Sequence, residues 1–227
     1  MAIFRECLRR ILSDVRGTGG TVAGSAKSDD KGTNFEVERK FAIANDELDS
    51  VRSRLSAMGF KLARTIDMTD HFLPTRVKGE MLRVRDENID GRKHTVCTIK
   101  EWVTIGNGKE RQESEGHLGA VSRCILLVVG RLIGGKPLST FSKRRLEHQA
   151  DGPQFSNVVI TLDQVDGLGK YSGHYAEVEV LVSQDGNVEE ARAAVFRLAS
   201  QLFGQERDCV EMSYQQMLEA SRSQSGR

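Results

Sequence analysis

The chemistry this chain could do is concentrated in charged residues spaced two apart. Glu36-Val-Glu38-Arg-Lys40 sets two carboxylates and an ammonium at alternate positions, Arg83-Val-Arg85 two guanidiniums, Lys143-Arg-Arg145 an ammonium and a guanidinium, and Glu177-Val-Glu179 two carboxylates. Lys100, Arg111, Glu113 and Asp163 stand in neighbouring stretches of the same kind. A β-strand turns successive side chains to opposite faces, so each spaced pair shares a face. One such face is ordinarily the solvated side of an antiparallel sheet. Several faces carrying little but charge are different, because like charges two apart repel once partly desolvated. A multivalent anion among the bases and a cation among the acids would neutralise them. Guanidinium forks and lysines suit a chain of phosphates, and carboxylates suit a hard divalent cation, Mg²⁺ or Mn²⁺.

The elements that must carry these residues can be read in order. Phe35 to Phe41 alternates as a strand, leaving Arg39 on the outer side. Asn45 or Asp46 caps a helix whose Leu48, Val51, Leu55 and Met58 keep helical spacing until Gly59 stops it. Strands follow over Phe60–Phe72, Met81–Glu87 and His94–Glu101, with hairpin signals at Asp90-Gly91 and at Ile105-Gly-Asn-Gly108. A short strand then places Arg111, Glu113 and Glu115 together. Leu118 to Ile133 is the most apolar helix, expected to pack on the sheet through Val121, Ile125, Val128, Val129 and Leu132. Leu138–Gln149, Phe155–Val165 and His174–Val182 are the last strands, Val188–Phe203 a final helix, and Tyr214, Met217 and Leu218 a short amphipathic turn. The sum is an α+β chain dominated by antiparallel strands. An eight-stranded closed barrel would have an interior just wide enough for side chains or one small ligand.

With 33 basic and 32 acidic residues the net charge is +1, which lacks the basic excess of a nucleic-acid binder. The longest apolar run, Cys124 to Gly130, is too short to span a bilayer. Cys7, Cys97, Cys124 and Cys209 are far apart and lack metal-ligand spacing, which fits a reducing compartment. Residues 17–33 read as a linker, so the chain divides into an N-terminal segment, 1–33, and a domain from 34 to 227. Ile3, Phe4, Cys7, Leu8, Ile11, Leu12 and Val15 recur at helical spacing among Arg5, Arg9, Arg10 and Arg16. That fits a mitochondrial transit peptide, whereas Glu6 and Asp14 fit an amphipathic helix docked on the domain. The compartment expected is the cytoplasm, or the mitochondrial matrix if the segment is a transit peptide.

Six motifs in order carry a resemblance: Phe35-Glu-Val-Glu-Arg-Lys-Phe41, Leu82-Arg-Val-Arg85, Thr98-Ile-Lys100, Ser142-Lys-Arg-Arg145, Leu162-Asp-Gln-Val165 with Gly167-Leu-Gly169, and Ala176-Glu-Val-Glu179. They resemble those of the CYTH superfamily, the triphosphate tunnel metalloenzymes, across about 34–218. The resemblance implies an eight-stranded antiparallel closed β-barrel around a charged tunnel, with helices outside. It implies that Lys40, Arg83, Arg85, Lys100, Lys143 and Arg145, with Arg111 at a more variable position, grip a triphosphate. Glu36, Glu38, Asp163, Glu177 and Glu179 would hold Mg²⁺ or Mn²⁺, and Glu36, Glu38, Lys40 and Lys100 would form the catalytic group.

Members similar to thiamine triphosphatase fit best, by length, Asp70-His-Phe72 and the terminal Ser213-Tyr-Gln-Gln-Met-Leu218, although Met81 stands where thiamine-specific animal members carry Trp. The expected activity is metal-dependent hydrolysis of a terminal phosphoanhydride, with thiamine triphosphate as substrate. The alternatives are an inorganic tripolyphosphatase or nucleoside triphosphatase, an adenylate cyclase of the CYTH type, and a non-catalytic polyphosphate-binding module. The expected partner is a small triphosphate, with neither nucleic acid nor membrane, for a monomer or weak homodimer.

Overall fold

The computed structural model describes residues 35–75, 81–105, 108–134, 139–152, 155–183 and 186–225. The N-terminal segment, 1–33, and most of the turn expected at 105–108 lie outside the described residues. Eight strands carry the fold: β1 (Phe35–Ile43), β2 (Phe60–Leu73), β3 (Met81–Ile89), β4 (Arg92–Ile105), β5 (Gly108–His117), β6 (Ser139–Ala150), β7 (Val158–Asp166) and β8 (Gly173–Val182). Among the described residues four α-helices accompany them: α1 (Leu48–Ala57), α2 (Ala120–Gly134), α3 (Val188–Phe203) and α4 (Tyr214–Ser225). None of the described helices is long and apolar enough to cross a membrane.

Every pairing is antiparallel, and the order β1-β5-β4-β3-β2-β6-β7-β8 returns on itself when β8 pairs with β1. The expected closed barrel needs correcting at one seam. Where β1 meets β8, nine residues pair in continuous register, from Phe35 opposite Val182 to Ile43 opposite His174. Where β1 meets β5, the described register is a single pair, Glu36 opposite Arg111. The sheet therefore curls into a ring cinched at one point, and is not a cylinder closed by ladders all round. The reason lies in offset: Glu36 meets Arg111 near the start of both strands, so the far end of β5 runs past the beginning of β1.

Local sequence explains the turns. Asp90 and Gly91 both adopt positive φ, 51° and 80°, as the tight β3–β4 hairpin requires. The expected Asn45 or Asp46 cap is replaced by Glu47, whose carboxylate accepts from the Ala44 amide at 3.0 Å and from Arg207. The expected C-terminal turn is a full helix, α4.

Outer faces are apolar and covered. α1 and α3 lie over Val37, Phe41, Ile160, Val178 and Val180, burying Val51, Leu55, Val195 and Leu202. α2 covers Leu73, Leu82, Val84, Cys97 and Ile99, but through Leu126 and Leu127. The residues expected to pack there, Val121, Ile125, Val128 and Leu132, are 57–75% exposed. This helix is apolar on more than one face, so its periodicity could not say which face the sheet would take. Truncating Leu202, fully buried under this outer layer, should destabilise the protein by about 2–5 kcal/mol, read as a lower urea midpoint with an unchanged slope.

Candidate functional site

Residues directly opposite each other on neighbouring strands share a face, so the register identifies the inner lining. Glu38 faces Glu179, Lys40 faces Glu177, Arg145 faces Asp163, Arg85 faces Asp70, Arg83 faces Thr98, Thr98 faces Glu115, and Lys100 faces Glu113. Glu36, Arg83 and Lys143 fall in the same phase. Apart from Arg111, the expected site residues fall by register on one face of the sheet, while Arg39 falls with Val178 on the other. The side chains of Arg111 and Glu113 lie outside the described residues.

Inside the ring, acids and bases are interleaved. Lys143 donates to Asp163 Oδ2 at 2.9 Å, and Arg145 straddles Asp163 with bonds of 2.8 and 2.7 Å while also binding Glu177. Arg85 forms a fork on Asp70, 2.6 and 3.1 Å. Arg83 donates to Thr98 at 3.0 Å, and its Nη2 lies 3.4 Å from Glu115. Asp163, expected among the metal ligands, is fully enclosed and accepts from Lys143, Arg145 and the Tyr214 hydroxyl at 3.2 Å. It is built into the cationic wall.

One end of the ring is filled. Phe72, Phe141, Val165 and Tyr175, at the end where β1 finishes, pack with Tyr214, Met217 and Leu218 of α4. Phe72 stacks on Phe141 with ring centres 5.9 Å apart, and Tyr214 lies 5.4 Å from Phe141 and 5.6 Å from Tyr175. Lys40 rests 3.8 Å above the Tyr214 ring and donates to the Met212 carbonyl at 3.0 Å. Gly169 supports the docking, because a side chain there would lie 2.3 Å from Ser221 of α4. The charged interior is consequently a cup with an aromatic floor.

Electrostatics divide the lining. Burial opposes ionisation of Glu38, but Lys100, a hydrogen bond with Glu36, Lys40 and Arg145 outweigh it and hold its carboxyl well below the usual range. On Glu179, burial and the facing Glu38 carboxylate win over Arg145 and Lys100, pushing it up to about 7. Burial and then Arg145 lower Lys143 to about 8 despite Asp163. Burial likewise works against charge on Asp70 and Asp163, and is overcome by Arg85 and Arg83 for the first and Arg145 and Lys143 for the second.

Glu36, Glu38 and Glu179 are hard oxygen donors suited to a divalent cation. The repulsion that raises Glu179 is a cost such a cation would remove, and the buried Thr161 hydroxyl, opposite Glu177, makes no hydrogen bond. In this conformation no three carboxylate, histidine or cysteine side chains among the described residues converge on one point, since basic side chains lie between the acids.

Sequence reasoning passed over Asp70, Tyr214, Glu115 and Thr161 as site residues. Asp70 falls in phase with apolar Ile66, Met68 and Phe72, so its face of β2 reads as core and lacks the spaced charges of the other strands. Tyr214 arrives by tertiary docking and reads locally as one more apolar helix position.

A ring of eight antiparallel strands with helices outside and charge inside defines a class, and the chain belongs to it by sequence as well. It is a member of the CYTH domain family, whose sequence profile matches residues 34–214. No curated protein matches the chain. Among solved structures, the PH1819 protein of Pyrococcus horikoshii is 26% identical, covers 83% of this chain and all (100%) of its own, and superposes with a TM-score of 0.62. A candidate adenylate cyclase of Vibrio parahaemolyticus is 19% identical over 82% of this chain and 98% of its own, TM-score 0.56. A Hippeastrum protein described as a candidate adenylyl cyclase with dominant triphosphatase activity is 12% identical over 82% of this chain and 95% of its own, TM-score 0.52. The last two likenesses are of fold.

Two outcomes are expected. Asp70→Asn strands the buried Arg85 and should cost roughly 3–5 kcal/mol in chemical unfolding. In metal-free protein, Glu179 binds its proton more tightly folded than at its ordinary 4.5, so its stabilising contribution is complete below that value and lost as pH rises through about 7. Unfolding midpoints measured in chelator should show that fall, and Glu179→Gln should remove it.

Proposed function

We propose that this protein is a metal-dependent triphosphatase that hydrolyses the terminal phosphoanhydride of a small triphosphate. The observation that carries the reading is the two-sided lining: Arg83 and Arg85 on β3 and Lys143 and Arg145 on β6, the two strands that flank β2, with Glu36, Glu38 and Glu179 on β1 and β8 across the same interior. Membership of the CYTH family supports it, as does the triphosphatase activity described for the Hippeastrum relative of the same fold. The substrate favoured is thiamine triphosphate, on the resemblance of the Asp70-His-Phe72 and Ser213–Leu218 segments.

The phosphate chain would exchange places with the carboxylates that now satisfy the cations. Arg145 would turn its outer N–H from Glu177 toward phosphate oxygens, with Asp163 still holding Lys143 and Arg145, and Asp70 still holding Arg85, in orientation. Charge-assisted donors fixed before the substrate arrives stabilise the charge of the transferring phosphoryl group. Lys40 on β1 and Lys100 on β4 add charge. Water attacks the terminal phosphorus, the bond to the bridging oxygen breaks, and the diphosphate leaves. The water's proton passes to a carboxylate of the acidic wall that the cation leaves free. A divalent cation, Mg²⁺ or Mn²⁺, held by Glu36, Glu38 and Glu179 would neutralise phosphate charge and polarise the leaving group.

The test is phosphate release with Mg²⁺ or Mn²⁺ from thiamine triphosphate, tripolyphosphate and nucleoside triphosphates, with ATP products analysed for pyrophosphate. Arg83→Ala and Lys143→Ala should each lower kcat/KM by roughly 10²–10³. Undiminished turnover in both variants would end this account. Tight binding without turnover would identify a polyphosphate-binding module, and pyrophosphate release a cyclase.

A further inference from the structure

The segment that leads into α4 is built around one lysine. The Val210 amide donates to the Lys40 carbonyl at 2.6 Å, the Met212 carbonyl accepts from the Lys40 ammonium at 3.0 Å, and that ammonium stands 3.8 Å from the centre of the Tyr214 ring. A second cation comes to the same ring, since the Lys143 ammonium is 5.0 Å from its centre. The two ammoniums are therefore no farther apart than these two distances combined. Lys40 is on β1 and Lys143 on β6, with β7 and β8 between them in the sheet order, so no ladder fixes one against the other. The phenol side chain of Tyr214 is what both of them touch.

Tyr214 is itself held on several sides. It is buried, its ring packs against Phe141 and Tyr175, and its hydroxyl donates to Asp163, which also accepts from Lys143 at 2.9 Å. An aromatic residue in this place has a chemical reason. Two ammoniums drawn into one buried corner repel each other. A carboxylate between them would relieve the repulsion, but it would also cancel the charge that an arriving anion needs. The face of a phenol ring attracts cations through its quadrupole and carries no net charge. We infer that Tyr214 is a positioning residue that holds the Lys40 and Lys143 ammoniums as one pair at the floor of the cup, to receive the innermost phosphate of a bound polyphosphate. The inference rests on the triphosphatase reading of the site. It makes α4 a contributor to the phosphate grip through lysines carried by other elements.

The test separates the charge distribution of the ring from its bulk. Binding of inorganic tripolyphosphate to the full chain is followed by calorimetry, in chelator and in Mg²⁺, for the native protein, for Tyr214→Phe, and for variants with phenylalanine at this position carrying progressively more ring fluorine. Fluorine drains the ring face of its attraction for cations with little change of size. Tyr214→Phe should bind within about threefold of the native protein, having lost one neutral hydrogen bond. Added fluorine should weaken binding stepwise, to about tenfold, with urea midpoints that do not fall. Fluorinated variants that bind as tightly as Tyr214→Phe overturn the proposal. So does a loss that follows a falling urea midpoint, which would assign it to the docking of α4. Native protein that binds no tripolyphosphate in either condition and releases no phosphate overturns the triphosphatase reading and this proposal with it, whereas native binding beside an unresponsive fluorine series overturns this proposal alone.

Discussion

The structure depends on keeping opposite charges interleaved where water is scarce. Asp163 is the centre of that arrangement: enclosed on all sides, it accepts from Lys143, Arg145 and Tyr214, and Arg145 reaches on to Glu177. Two cations and two carboxylates on three strands thereby neutralise one another. Removing any one member would leave a buried charge without its partner, which is far costlier than losing a surface pair. The apolar outer layers can be exchanged for others of similar volume. The inner lining cannot, because its stability comes from the pairing of particular charges.

This constraint explains how the elements share the work. The outer faces of β1, β7 and β8 supply most of the hydrophobic core with α1 and α3, so most of the apolar driving force comes from outside the ring. The interior is then available for polar side chains at close quarters. The seam between β1 and β5, held by one described pair, falls where Glu36 and Arg111 stand opposite each other in the backbone register. The least continuous part of the sheet is thus also the edge of the acidic wall.

Much of the fold was legible because its strands alternate cleanly. Glu36-Val-Glu38-Arg-Lys40 and Glu177-Val-Glu179 announced both the strands and the charged face, and the register joins them as expected, Glu38 opposite Glu179. Alternation says nothing about partners across space. It could not show that Asp163 would be absorbed by Lys143 and Arg145, nor that Asp70 would anchor Arg85, since both depend on which strands lie side by side. It also could not close the ring, because a seam of one pair leaves no periodic mark. Tyr214 shows the limit for helices: an aromatic at an apolar position reads as core, and only docking reveals that its hydroxyl reaches a carboxylate 51 residues earlier in the chain.

The aromatic floor has a kinetic meaning. With Phe141, Tyr175 and Tyr214 filling one end, a molecule held among the charged side chains would have to enter and leave by the opposite end. Two fragments of a cleaved molecule would leave in sequence, the one nearer the mouth first, so the inner fragment waits on the outer. A single docked helix would in this way set the order of departure.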